Sequence, residues 1–148
     1  MEKMVGKKPE QSTGDNRYGI ILDIRHPLMH PSKLTAKLNL EPKACWIAGE
    51  RRKAPDGTLI GGKYEFNRWY HSYQVIGERH FSRGITEILD VVENSKAYLR
   101  HIVRTGGTVR LDLYLPGRKN IGDILCWPLL KRFVDCRIDL GIEVFPGS

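Results

Sequence analysis

The stretch from Ser82 to Thr105 constrains the fold more than any other. Ile85, Ile88, Leu89, Val92, Leu99, Ile102 and Val103 recur mostly at intervals of three, four and seven, which collects them on one side of a 3.6-residue helix. The spacing predicts one long helix, capped by Ser82 and stopped at Gly106-Gly107. A helix with a single apolar stripe has to lay that stripe against a second layer.

The flanking segments supply the layer. Tyr18 to Arg25 reads as a strand with Ile20, Leu22 and Ile24 on one face, and Thr108 to Leu115 as another, with Val109, Leu111, Leu113 and Leu115 alternating against Arg110, Asp112 and Tyr114. Ile138, Leu140, Ile142 and Val144 alternate in a closing strand. Between them, Ser32 to Asn39 reads as a short helix capped by Ser32, and Cys45 to Ala48 as a short strand. Gly49 to Gly62 reads as a long polar loop containing the Pro55-Asp56-Gly57 turn. Lys63 to Ile76 reads as an aromatic strand and Leu125 to Val134 as a helix. The order β-α-β-β-α-β-α-β predicts a two-layer α+β sandwich with a mostly antiparallel sheet, built on a ferredoxin-like βαββαβ core with an additional C-terminal helix and strand. Residues 1–17 lack apolar periodicity and are expected to form a flexible tail, leaving 18–148 as one domain.

The run LTAKLNLEP (Leu34 to Pro42), then Trp46, Gly49-Glu50, the pair Trp69-Tyr70, the long amphipathic helix and the closing LLKRFVDCRIDLGIEVFP together resemble the bacterial domain-of-unknown-function 4279 family. The resemblance covers about residues 18 to 146. It departs at Asn39, where glycine is expected, and asparagine tolerates the same left-handed helix end. It implies a small α+β domain, and carries over no activity and no catalytic residue.

Several chemistries are disfavoured by the residues themselves. Gly57 to Lys63 satisfies GxxxxGK, yet Tyr64 stands where a phosphate loop needs Ser or Thr, and a strand rather than a helix follows. His26 and His30 are each followed by proline, which takes them out of the helical i,i+4 geometry of a metal pair. Cys45, Cys126 and Cys136 show no CxxC spacing. No metal, cofactor or catalytic residue is therefore expected. The longest apolar run, Ile124 to Leu130, is far short of the roughly 20 residues that span a bilayer, and the polar N-terminal residues show no secretory signal, so a cytoplasmic protein without membrane attachment is expected.

What remains is charge and aromaticity. Lys and Arg number 24 against 17 Asp and Glu, a formal +7, which favours anionic partners. Glu50-Arg51-Arg52-Lys53 opens the long loop, and Arg79-His80 precede the long helix, where free amides attract anions. With Trp46, Trp69 and His71, these residues make the candidate ligand-binding set Trp46, Glu50, Arg51, Arg52, Trp69, His71, Arg79 and His80. The leading expectation is a binding domain for a protein or small anionic ligand, of the kind that neutralises a partner as an immunity protein does. One alternative is a small enzyme using His71 or His80 as acid or base beside arginines. Another is RNA or single-stranded nucleic acid on the sheet face, although Asp112 would repel phosphate there. A free sheet edge would also permit a homodimer.

Overall fold

The computed structural model describes residues 18–75, 80–117 and 120–145. The expected tail, 1–17, and Arg79 lie outside them. In chain order the elements are β1 (Tyr18–His26), α1 (Pro31–Leu38), β2 (Ala44–Trp46), β3 (Arg51–Lys53), β4 (Leu59–Lys63), β5 (Asn67–Val75), α2 (Phe81–Val92), a 3-10 turn (Glu93–Ser95), α3 (Lys96–Arg104), β6 (Thr108–Pro116), α4 (Trp127–Cys136) and β7 (Ile138–Phe145). The main sheet runs β2-β5-β1-β6-β7, and β3 pairs only with β4. Pairing is antiparallel throughout except between β6 and β7, which α4 joins as a parallel crossover. The protein is a mixed α+β structure with a mostly antiparallel sheet.

Alternation decides which face of the sheet is covered. Ile20, Leu22 and Ile24 of β1 stand opposite Leu113, Leu111 and Val109 of β6, and all six are buried against Ile85, Ile88, Leu89, Leu99 and Ile102 of α2 and α3. Leu34 and Leu38 of α1 and Leu129 and Phe133 of α4 complete this core. No helix among the described residues is long and apolar enough to cross a membrane.

The expected single helix is two. Asn94 donates through Nδ2 to the carbonyls of Asp90 and Val91, and Ser95 Oγ donates to the carbonyl of Lys37. Short polar side chains that bond backbone in this way compete with the helical ladder, and a 3-10 turn results. The stripe crosses the break unchanged, because Val92 before it and Leu99 after it are both buried.

Both expected caps move. His30, not Ser32, caps α1, with Nδ1 accepting the Ser32 amide and Pro31 in the first turn. Helix α2 starts at Phe81, and the Ser82 amide donates to Asp123 Oδ2 at 2.9 Å. The cap therefore arrives from a loop far along the chain. Gly107 lets the end of α3 close onto β1: a Cβ there would come within 2.7 Å of the Arg25 carbonyl oxygen.

The segment expected as one long strand from Lys63 is likewise divided, with β4 ending at Lys63 and β5 beginning at Asn67. The expected loop from Gly49 to Gly62 contains the β3–β4 hairpin. Its strands are exposed throughout, so no buried face marks them in the sequence.

Candidate functional site

The helices leave the other sheet face open, and register arranges it in rows. One row runs Trp46, Arg68, Arg25, Thr108; the next runs Ala44, Tyr70, Asp23, Arg110, Asp139. Arg68 directly opposite Arg25 would be repulsive by itself. Asp23, 1% exposed in the middle of β1, supplies the missing charge. Arg68 grips it with two bonds, Nε to Oδ1 at 2.9 Å and Nη2 to Oδ2 at 3.0 Å. Arg25 and Arg110 approach Oδ2 from elsewhere, at 3.5 and 3.4 Å. Arg110 Nε also lies 2.7 Å from Asp112 Oδ1, and the pairing with Asp112 raises the already high pKa of this guanidinium. Gly141 of β7 makes that pair feasible, since a Cβ would sit 2.1 Å from Asp112 Oδ1.

Three guanidinium groups thus converge on two carboxylates. Arg68 also lies 4.4 Å from the ring centre of Trp46 and 4.9 Å from that of Tyr70, while Arg25 lies 5.0 Å from Phe66. Trp46 stacks in turn on Tyr64, 5.1 Å between centres and 6° from parallel. Its aromatic surface is spent on neighbours within the chain.

Tyr64 ties the basic hairpin to this row. Its carbonyl accepts the Gly49 amide and its own amide donates to the Glu50 carbonyl, while its hydroxyl accepts from the Lys53 amide. The hairpin therefore stands on the Trp46–Tyr64 stack with Arg51, Arg52, Lys53 and Lys63 exposed along it. Two open concavities, about 510 and 1220 Å³, flank the stack; Lys53 and Lys63 line both, Arg52 the smaller and Arg51 the larger.

Of the residues expected from sequence, Trp46, Glu50, Arg51 and Arg52 meet at this corner. Trp69 does not. It points to the helix side, 0% exposed, with its indole N–H donating to Thr35 Oγ1 at 3.0 Å, because the alternation that brings Arg68 and Tyr70 to the open face turns Trp69 inward. His71 shares that inward side, stacked on Trp69 and 2.6 Å through Nδ1 from the Glu41 carbonyl. His80, 68% exposed, stands before α2 with Nδ1 3.6 Å from Asp123 Oδ1. His26 and His30 serve a turn and a helix cap: His26 Nδ1 accepts the amides of Leu28 and Met29. Among the described residues no group of three His, Cys, Asp or Glu side chains is arranged to hold a metal.

Sequence reasoning passed over Asp23, Arg25, Arg68, Arg110 and Tyr64. A signal existed in Tyr18 to Arg25, where a carboxylate inside an otherwise apolar strand requires a buried cation as its partner.

A family model described as a domain of unknown function, DUF4279, matches residues 16–138. No curated protein and no solved structure matches the chain.

Proposed function

The chain belongs to the DUF4279 family, whose function is unknown, and from that premise we propose that it is a binding module that recognises an acidic protein surface through the β3–β4 hairpin and the adjoining open sheet face. The observation that carries this reading is the anchoring of four exposed cations, Arg51, Arg52, Lys53 and Lys63, on the Trp46–Tyr64 stack beside the Arg25, Arg68 and Arg110 cluster. A hairpin whose base is already hydrogen-bonded to Tyr64 spares an anionic partner part of the cost of ordering the loop, and its cations add attraction at long range. Neutralisation of a partner by capture, as an immunity protein performs it, fits such a surface. Charge rather than base stacking is favoured as the means of recognition, since Arg68 and Tyr64 already occupy Trp46. The order and directions of β1, β2, β5 and β6 support reading the core as ferredoxin-like, with the hairpin inserted before β5 and α4–β7 appended.

A fluorescein-labelled hexaglutamate peptide, titrated by anisotropy at low ionic strength, tests the assignment. Replacing Arg51 and Arg52 together with Ala is expected to weaken binding about fivefold, as loss of two exposed ion pairs would, with the urea midpoint unchanged. Undiminished binding by that variant, or no binding by the parent protein, refutes the reading.

A further inference from the structure

The opposite end of the sheet carries a second unsatisfied surface. Among the described residues, β7 has no strand on its outer side, so a row of backbone donors and acceptors is left unpaired. Directly above it, α4 buries Leu129, Phe133 and Cys136 toward the sheet and turns Arg132 toward Asp90 and Glu93 on the flank facing α2 and α3. At 100° per residue, Leu130 falls on the contrary flank, beside the free edge, and Val134 and Trp127 stand between that flank and the outward side; they are 41%, 63% and 75% exposed. Ile142 and Val144 of β7, 61% and 54% exposed, continue the apolar surface on the same side of the sheet.

We propose that this edge is the interface of a homodimer in which β7 pairs antiparallel with the β7 of a second copy and the two α4 flanks close over the seam. A twofold axis presents each unpaired strand to an identical one and each apolar flank to its own image. The five apolar residues expose roughly 600 Å², and the backbone edge of β7 adds to it, against the ~800 Å² that each partner contributes to a standard-size interface. The polar sequence of residues 1–17 contains Val5 and two methionines as its only large apolar side chains and is poorly suited to cover such a patch.

Charge and strand overlap together select the register. Keeping both α4 helices on one side requires residues of the same parity to stand opposite each other. Centring on Gly141 would set Asp139 against Glu143 of the second copy twice, and centring on Glu143 would oppose two carboxylates. Centring on Ile142 avoids both and overlaps residues 139–145 of each strand, where centring on Leu140 would overlap only 138–142: Ile142 meets its own counterpart, Leu140 meets Val144, Gly141 meets Glu143 and Asp139 meets Phe145.

Sedimentation equilibrium of the full chain at tens of micromolar should give a dimer, and Val134→Glu should give a folded monomer by sedimentation and circular dichroism. In a Cys45→Ser, Cys126→Ser background, Ile142→Cys should cross-link quantitatively under mild oxidation, because opposed residues at the centre of an antiparallel pair lie within disulfide reach. Val144→Cys, displaced from its counterpart by several residues, should not. A monomeric parent protein, a dimer insensitive to Val134→Glu, or cross-linking at 144 in place of 142 would each overturn the proposal. None of these results depends on whether the hairpin binds anions.

Discussion

Removing the Asp23 carboxylate leaves Arg25, Arg68 and Arg110 facing one another with no shared counter-charge, the bidentate Arg68 mostly shielded from water and the other two partly exposed. Asp23→Asn is therefore expected to cost about 2 kcal/mol, less than breaking a fully buried ion pair because Arg25 and Arg110 keep contact with water, and a urea titration will show it as a lowered midpoint. His26 is a residue whose protonation state is built into the fold. Burial first, and the neighbouring His101 second, push its pKa below the ordinary 6.5. A proton on Nδ1 would also turn the acceptor of two backbone amides into a third donor. The unfolded chain therefore binds that proton more readily than the native one. The stabilisation is complete above about pH 6.5 and is lost as pH falls below it toward the lower native value. Melting temperature should drop between pH 7.5 and 5.5, and His26→Asn, whose amide oxygen accepts without titrating, should flatten that drop.

Elements in this chain are held in place by groups remote in sequence. Helix α2 has no side-chain cap from its own N-terminal residue; Asp123, in the loop before α4, takes the Ser82 amide. Burial pushes the Asp123 carboxyl up, but hydrogen bonds from Ser82 and from the Ile124 amide, with His80 close by, together outweigh it and hold the pKa below the ordinary value. Asp123→Ala should cost about 1 kcal/mol, as loss of a helix cap does, and the first turn of α2 should exchange its amide hydrogens faster while α3 stays protected. Equal acceleration in both helices would mean that they unfold as one unit despite the turn between them. The hairpin shows the complementary case: it buries neither strand, and backbone bonds at Tyr64 join its base to the sheet.

At the scale of the molecule, the sequence reports burial well and charge pairing poorly. The α+β class, the helical stripe and the alternation in β1 and β6 were legible because one covered face imposes a period on each element. The β3–β4 hairpin was not, since strands exposed on both faces leave no period to read. The turn at Glu93 to Ser95 was hidden by a stripe that runs through it. Trp69 was ambiguous for another reason: aromatics occur on both sides of β5, and only the position of the helices says which side is core. The hairpin cations Arg51 and Arg52 stood out in the sequence as a charge run, whereas Arg25, Arg68 and Arg110 come together only when β1 is inserted between β5 and β6. A backbone amide NMR titration of the full chain with hexaglutamate at low salt bears on the account most directly. It should shift resonances of β2, the hairpin and the open-face residues of β5, β1 and β6, and leave α2 and α3 still; shifts concentrated on the helical layer instead would contradict it.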